Sequence, residues 1–231
     1  MDLLQRPVTI CAEQSWYASR HARIAGQACV SRTRLARECS IEKANNRMFS
    51  IISRKDALME LALVTCEQKN ILKNLIKMYC YEWSQYNGID INEFGEYAFE
   101  HDIDRYFTEA DNYPYFIRNG GKLAGFVLID TDFDYDKNSD HAVSEFFVLY
   151  KYRKMGIGRS AATETFNKHK GKWEIKMHPM NKTSIDFWTD VVGKATNGKY
   201  HIIKNCEQAK YSDGNLGTII VFNNKGDATC E

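Results

Sequence analysis

The plainest chemical potential in this sequence lies between positions 151 and 159. There Lys151, Arg153, Lys154 and Arg159 surround Gly156-Ile157-Gly158, with no acid among them. Cations attract an anion, and the glycines let the main chain approach one without a Cβ in the way. The flanking residues set the geometry. Phe146 to Tyr150 is a short run of aromatic and β-branched residues, which predicts a strand, and Ser160 to Lys168 predicts a helix. A glycine turn between strand and helix leaves amides unpaired at the positive end of a helix dipole, where they can converge on phosphate. The stretch reads as a pyrophosphate cradle.

Two motifs compete for its ligand. Gly156-Ile-Gly158-Arg-Ser-Ala161 fits the G-x-G-x-x-A variant of the dinucleotide fingerprint. That motif wants the turn directly after the strand and an acid at a strand end about 20 residues on. Here Lys151 to Met155 intervene, and Glu174 falls inside the next predicted strand. A phosphate-binding loop of the Walker type fails too, since no Lys-Ser/Thr pair follows the second glycine. What remains is Arg153-x-x-Gly156-x-Gly158.

The elements that must position this turn follow from periodicity. The body is expected to begin near Met59, with Glu60 to Thr65 as a first strand. Glu67 to Tyr86 places Ile71, Leu72, Leu75, Ile76, Tyr79 and Trp83 at helical spacing, which reads as a core-facing stripe ended by Asn87-Gly88. Phe94 to Phe107 predicts a weaker helix in an acidic stretch that is either a solvated face or a negative rim for a cationic amine. Tyr115 to Arg118 and Leu123 to Ile129, joined by Asn119-Gly120-Gly121, predict a hairpin. Asp130 to Asp140 alternates acids but lacks the glycine and closing glutamate of a calcium loop, and predicts a flexible turn. Lys172 to Met177 predicts a strand, and Asn181 N-caps a helix through Trp188. Lys199 to Lys204 and Leu216 to Phe222 predict two last strands joined by a polar loop. The order β-α-α-β-β-β-α-β-α-β-β predicts an α/β (α+β) fold: a mixed, mostly antiparallel central sheet with flanking helices.

Two segments in this order resemble the GNAT superfamily of N-acetyltransferases: R-x-x-G-x-G at 153–158, and Asn181-x-x-Ser184-x-x-Phe187-Trp188 about 25 residues on. The likeness covers about 58–225. It implies an acyl-CoA N-acyltransferase fold whose fourth and fifth strands splay apart around the pantetheine arm of acetyl-CoA. The backbone of Phe147, Val148 and Leu149 would then pair with pantetheine. The Arg153 turn and the amides of Lys154, Met155, Gly156, Ile157, Gly158 and Arg159 would hold the pyrophosphate, and Asn181, Ser184 and Phe187 would border the thiol end. An unpaired strand edge needs a partner, and coenzyme A carries amides that can satisfy it.

The implied reaction is direct attack of an amine on the thioester, which needs a base. Glu145, beside the cradle strand, is the first candidate, with a rim or ion-pair role as its ordinary alternative. His141 and His178 read as polar strand-end residues. Many relatives carry a tyrosine where this chain has Trp188, and an indole N–H is no acid. Either another tyrosine serves as the acid, with Tyr150 as the candidate and Tyr152 and Tyr211 also available, or the thiolate leaves unassisted. The oxyanion would lean on the N–H of Val148.

Composition narrows the partners. A net charge of +1 selects none, no run reaches the roughly 20 apolar residues of a membrane span, and the first residues lack the apolar core of a secretory signal. Seven cysteines without C-x-x-C spacing suit reduced thiols in the cytoplasm and no metal site. Residues 1–55 form a separate basic extension, expected to be poorly ordered: up to Met48 it holds seven arginines and one lysine against four acids. Ile24 to Leu35 within it has the spacing of a helix-turn-helix with Cys29 at the usual glycine, but too little chain surrounds it for a three-helix core. The expectation is an acetyl-CoA-dependent N-acetyltransferase domain at 56–231, acting on a small-molecule amine and compatible with a homodimer. Neither nucleic acid nor membrane is the expected partner. The alternatives left open are a non-catalytic coenzyme A-binding regulator whose arm contacts nucleic acid, and a nicotinamide dinucleotide protein.

Overall fold

The computed structural model describes residues 59–99 and 101–225, so the basic extension and its helix-turn-helix spacing lie outside the described residues. Seven strands form one sheet: β1 (Met59–Leu63), β2 (Tyr113–Asn119), β3 (Lys122–Asp130), β4 (His141–Val148), β5 (Lys172–Met177), β6 (Tyr200–Lys210) and β7 (Leu216–Asn223). Their order is β1-β2-β3-β4-β5-β7-β6, antiparallel throughout except for the parallel pair β4–β5. Among the described residues four α-helices flank it: α1 (Lys69–Asn87), α2 (Arg105–Thr108), α3 (Ile157–Lys168) and α4 (Lys182–Ala195). The mixed, mostly antiparallel sheet with flanking helices is the architecture that the sequence predicts.

The central hairpin shows why both faces are covered. Gly120 and Gly121 turn with φ of 56° and 73°, the left-handed pair that a tight two-residue hairpin requires. Beyond them every residue of β3 from Ala124 to Asp130 is buried, the mark of a strand packed on two sides. Phe126 and Leu128 face Leu72 and Ile76 of α1, while Val127 and Ile129 join Ala161, Phe166, Trp188 and Val192 of α3 and α4. Fully buried side chains of this size contribute about 1.5–3 kcal/mol each.

Several predicted elements shift. The helix expected over Phe94 to Phe107 shrinks to the single turn of α2, because side chains compete for its backbone. Asn92 Oδ1 accepts the amides of Phe94 and Glu96, Asp102 Oδ1 accepts that of Asp104, and Gly95 turns at φ 75°. Three acids of the stretch read as a possible rim are paired: Glu96 with Lys77 and Asp104 with Lys69 of α1, and Glu109 with Arg105. β4 starts five residues before the predicted Phe146, α3 begins at Ile157 instead of Ser160, and β6 runs on to Lys210 through what was expected as loop.

The 131–140 segment is a tied loop and not a free turn. The Glu174 carboxylate, 2% exposed on β5, accepts the amides of Asp134 (2.8 Å), Tyr135 (3.0 Å) and Asp136 (2.8 Å). Asp132, Asp134 and Asp136 pair in turn with Arg105, Lys176 and Lys172.

Candidate active site

β4 and β5 pair only where His141–Val143 meets Trp173–Ile175. β4 continues to Val148 with its β5 side unpaired, while β5 is bonded along its whole length to β7. Which β4 groups face the gap follows from alternation. Leu149 N–H donates to the Ala124 carbonyl at 2.8 Å, so Leu149, Phe147 and Glu145 turn their main chain toward β3. Phe146 and Val148 turn theirs into the gap. A Cβ on Gly125 would lie 1.9 Å from the Phe147 carbonyl oxygen, which agrees with that carbonyl facing β3 and makes glycine obligatory there. The expected backbone trio of Phe147, Val148 and Leu149 is therefore corrected: of the three, only Val148 presents its N–H to the gap, and Phe146 joins it. A bulge between Leu128 and Ile129 lies opposite the point where the strands part.

The gap opens into a slot of about 590 Å³. β4 lines it with Phe146, Phe147 and Val148, α1 with Glu82 and Trp83, α4 with Asn181, Ser184 and Phe187, and the turn with Arg153, Lys154, Gly156, Gly158 and Arg159. Lys154 and Gly156 adopt φ of 59° and 81°, folding the turn back on itself. The first amide to enter the α3 ladder is that of Ser160, on the Gly156 carbonyl at 3.0 Å. The N–H groups of Ile157, Gly158 and Arg159 precede it, at the positive end of the helix. Ile157 anchors the helix start in the core, whereas the Met155 side chain is 64% exposed and lines neither cavity.

Arg153 serves the turn differently from the phosphate-facing role expected of it. Its Nε donates to the Val148 carbonyl at 2.7 Å and one terminal nitrogen grips both Glu82 oxygens at 2.7 and 2.6 Å. It straps the turn to β4 and α1. Arg159 pairs with Asp190 of α4. Asn181 caps α4 by accepting the Ser184 amide at 3.0 Å, and it lines the slot.

A second chamber of about 530 Å³ adjoins the slot. Tyr79, Trp83, Phe146, Asn181, Ser184 and Trp188 line both, so this group marks the junction. The stripe residues Tyr79 and Trp83 are thus cavity wall as well as packing, and the periodicity alone could not separate the two roles. Glu145 lines the second chamber with its side chain 12% exposed and 3.4 Å from His101 Nε2. Its hydrogen bond pulls the His101 imidazole above its ordinary range against the opposing effect of burial. Asp130 and Glu174 complete an acidic floor, the former fully buried and bonded to the Tyr106 hydroxyl at 2.7 Å. Lys137, Lys176 and Lys210 offset part of that charge.

The other titratable candidates separate clearly. His178 is buried with Nε2 3.0 Å from Asp213 Oδ2 and Nδ1 accepting the Met180 amide at 3.3 Å, so both ring nitrogens are engaged. His141 packs against His169 and Trp173 and lines neither cavity. Tyr150, taken as the candidate acid, is 83% exposed and also lines neither, its ring lying instead beside Arg153. Tyr152 is buried in the core. Tyr211 does reach the second chamber, and burial pushes its phenol above the ordinary range. Trp188 is buried with its indole edge-on to Phe146 at 5.0 Å. Among the described residues no cluster of three His, Cys, Asp or Glu side chains is arranged to hold a metal.

A family model described as the acetyltransferase (GNAT) family matches residues 75–193. No curated protein matches the chain. Among solved structures, an acetyltransferase from Thermus thermophilus aligns over 73% of this chain and 98% of its own, with a TM-score of 0.51 at 14% identity. An acetyltransferase from Streptococcus agalactiae aligns over 71% and 98% (TM-score 0.48, 16% identity). One of the GNAT family from Staphylococcus aureus aligns over 73% and 100% (TM-score 0.46, 12% identity). At these identities the likeness is one of fold.

Proposed function

Because this chain belongs to the GNAT acetyltransferase family, we propose that it transfers the acetyl group of acetyl-CoA to the primary amine of a small molecule by direct attack on the thioester. The observation that carries this reading is the parting of β4 and β5 into a slot with a basic glycine turn at one end and a second, acidic chamber at the other. Acetyl-CoA is an elongated ligand with a diphosphate in its middle and amides along its arm. The turn offers the amides of Ile157, Gly158 and Arg159 and the cation of Lys154 to the diphosphate. The open edge of Phe146 and Val148 offers main-chain partners to the arm, and Asn181 Nδ2 a donor near the junction.

On the slot side of the junction the thioester carbonyl lies against the Val148 N–H, which stabilises the oxyanion as attack proceeds. The acceptor enters from the second chamber. It must arrive as a cation and react as a neutral amine, so a base within reach is required. Glu145 is the carboxylate of the chamber that sits on β4 itself, and it takes this role. Asp130 and Glu174 are already committed to hydrogen bonds and contribute negative potential that favours a cationic acceptor.

The test is a thiol-release assay with acetyl-CoA against a panel of small primary amines. Turnover with at least one amine, falling by about 10²-fold or more in Glu145→Gln, is the expected result. Acetyl-CoA that protects the protein from thermal unfolding while no amine supports thiol release would point instead to a coenzyme A-binding protein without catalysis.

A further inference from the structure

Acetyl transfer leaves a thiolate where the slot meets the second chamber, and a proton delivered there assists its departure. Six side chains line both cavities. Phe146 has no proton to give, the indoles of Trp83 and Trp188 are donors without useful acidity, and Asn181 and Ser184 are no better as acids. The sixth is Tyr79, the single phenol of the group. Its ring is held in place, edge-on to Phe126 and Phe147 at 5.9 Å each and stacked on Trp83 at 6.1 Å. Glu145 stands on the same face of β4 as Phe147, two residues away, and lines the second chamber with Tyr79, near enough for its carboxylate to raise the phenol. No other described tyrosine near the turn has this placement, since Tyr150 and Tyr152 line neither cavity, Tyr86 lines only the slot and Tyr211 only the second chamber.

We propose that Tyr79 is the proton donor to the departing sulfur and that Glu145 recharges it, an inference that rests on the acetyl-transfer reading above. The amine nitrogen bonds to the acetyl carbon as the C–S bond breaks and its electron pair passes to sulfur. By then Glu145 has passed the ammonium proton on to solvent; it takes the second proton from the nitrogen, Tyr79 gives its hydroxyl proton to sulfur, and the protonated Glu145 returns one to Tyr79. The products are the N-acetyl amine and coenzyme A thiol, with both side chains restored. The order of events has a physical cause. At rest, burial and then the Glu145 carboxylate hold the phenol well above its usual range, with Tyr211 and Cys80 adding in the same direction. Proton uptake by Glu145 removes its negative charge, and the phenol becomes a better donor at the moment when a thiolate forms. His101 is the one imidazole paired with the Glu145 carboxylate among the described residues.

Coenzyme A itself is the probe, so no acceptor is needed. The thiol of bound coenzyme A is titrated by thiolate absorbance, as a difference from protein saturated with desulfo-coenzyme A. Tyr79→Phe keeps the ring contacts, and unfolding midpoints check that it is folded. A hydrogen bond to a charged group is worth about 1.5–3 kcal/mol, so the bound thiol pKa should rise by about one to two units in Tyr79→Phe. Acetyl-CoA affinity should be unchanged, as should the thiol titration of Tyr211→Phe. A bound thiol that titrates identically in wild type and Tyr79→Phe overturns the assignment, and so does a shift in Tyr211→Phe in its place. Coenzyme A that fails to bind wild type at all removes the acetyl-transfer reading, a result separable from loss of the Tyr79 role alone.

Discussion

Replacing Gly158 with alanine should move stability and cofactor affinity in opposite directions. Gly158 is the second residue of α3, and a Cβ there would sit 3.5 Å from Phe187, 3.5 Å from Val148 and 3.7 Å from Phe146. These are ordinary contacts, so the free protein accepts the methyl. Alanine exceeds glycine in a helix by about 0.5–1 kcal/mol, and for a domain of this size that raises the melting temperature by about 1–3 °C. The three neighbours, however, are the walls of the slot, and the methyl occupies space that the ligand backbone needs. Excess volume in a fitted space costs about 1–3 kcal/mol, which weakens acetyl-CoA binding by about 5-fold to 150-fold. Melting curves across an acetyl-CoA series give both quantities, since the ligand-induced stabilisation follows RT ln(1 + [L]/Kd). A folded Gly158→Ala protein with wild-type affinity would refute the placement of the ligand against the α3 N-terminus.

Three further outcomes follow from other positions. Gly125→Ala would drive a Cβ to 1.9 Å from the Phe147 carbonyl oxygen and 2.9 Å from its carbon. Both are backbone atoms, so β3 and β4 must separate, and urea unfolding should show a loss of about 3 kcal/mol or more. Glu174→Gln replaces an acceptor-only carboxylate by an amide that can satisfy fewer of the three loop amides. It should cost about 1–3 kcal/mol and speed hydrogen exchange at Asp134 to Asp136. His169 is held down to about 4, first by burial and then by His141 and Lys168, and its Nε2 lies 3.0 Å from the Tyr115 hydroxyl. A depressed imidazole favours the folded state fully above its unfolded value near 6.5, and this stability is lost as pH falls from there toward 4. Partial exposure reduces the effect to about 1–2 kcal/mol, and the melting temperature of His169→Gln should fall less between pH 7 and pH 5 than that of wild type.

What was legible in the sequence is what local patterning dictates. The Gly120-Gly121 hairpin, Lys172 to Met177 and the Asn181 cap appear as predicted because each is fixed by residues within a few positions. The glycine turn is legible for the same reason. What stays hidden depends on partners distant in sequence. Arg153 resembles a phosphate ligand because its segment is basic, but Glu82 lies 71 residues away and claims it. Glu174 resembles any alternating strand residue, and its role appears only when the 131–140 loop folds onto it across about forty positions. Tyr79 and Trp83 fit a core stripe because a cavity wall and a core have the same apolar spacing. One signal was available for the loop: alternating aspartates over 130–140, with lysines at 172 and 176 to meet them, suit cross-linking better than free solvation.

The gap between β4 and β5 does not need a ligand to hold it open, because each strand is restrained by its other neighbour. β5 is paired with β7 from Lys172 to Met177, and Glu174 ties it to the loop that leaves β3. β4 is drawn the other way: Gly125 permits a backbone approach to Phe147 that any side chain would block, and Leu149 closes onto Ala124. Arg153 then satisfies the Val148 carbonyl that parting would otherwise leave bare. Alternation along β4 turns the N–H of Val148 and the main chain of Phe146 into the gap, flanked by the first-turn amides of α3. An edge left incomplete at those atoms, with its neighbouring groups already bonded, selects a ligand that carries hydrogen-bonding groups along an extended arm and an anion at one end.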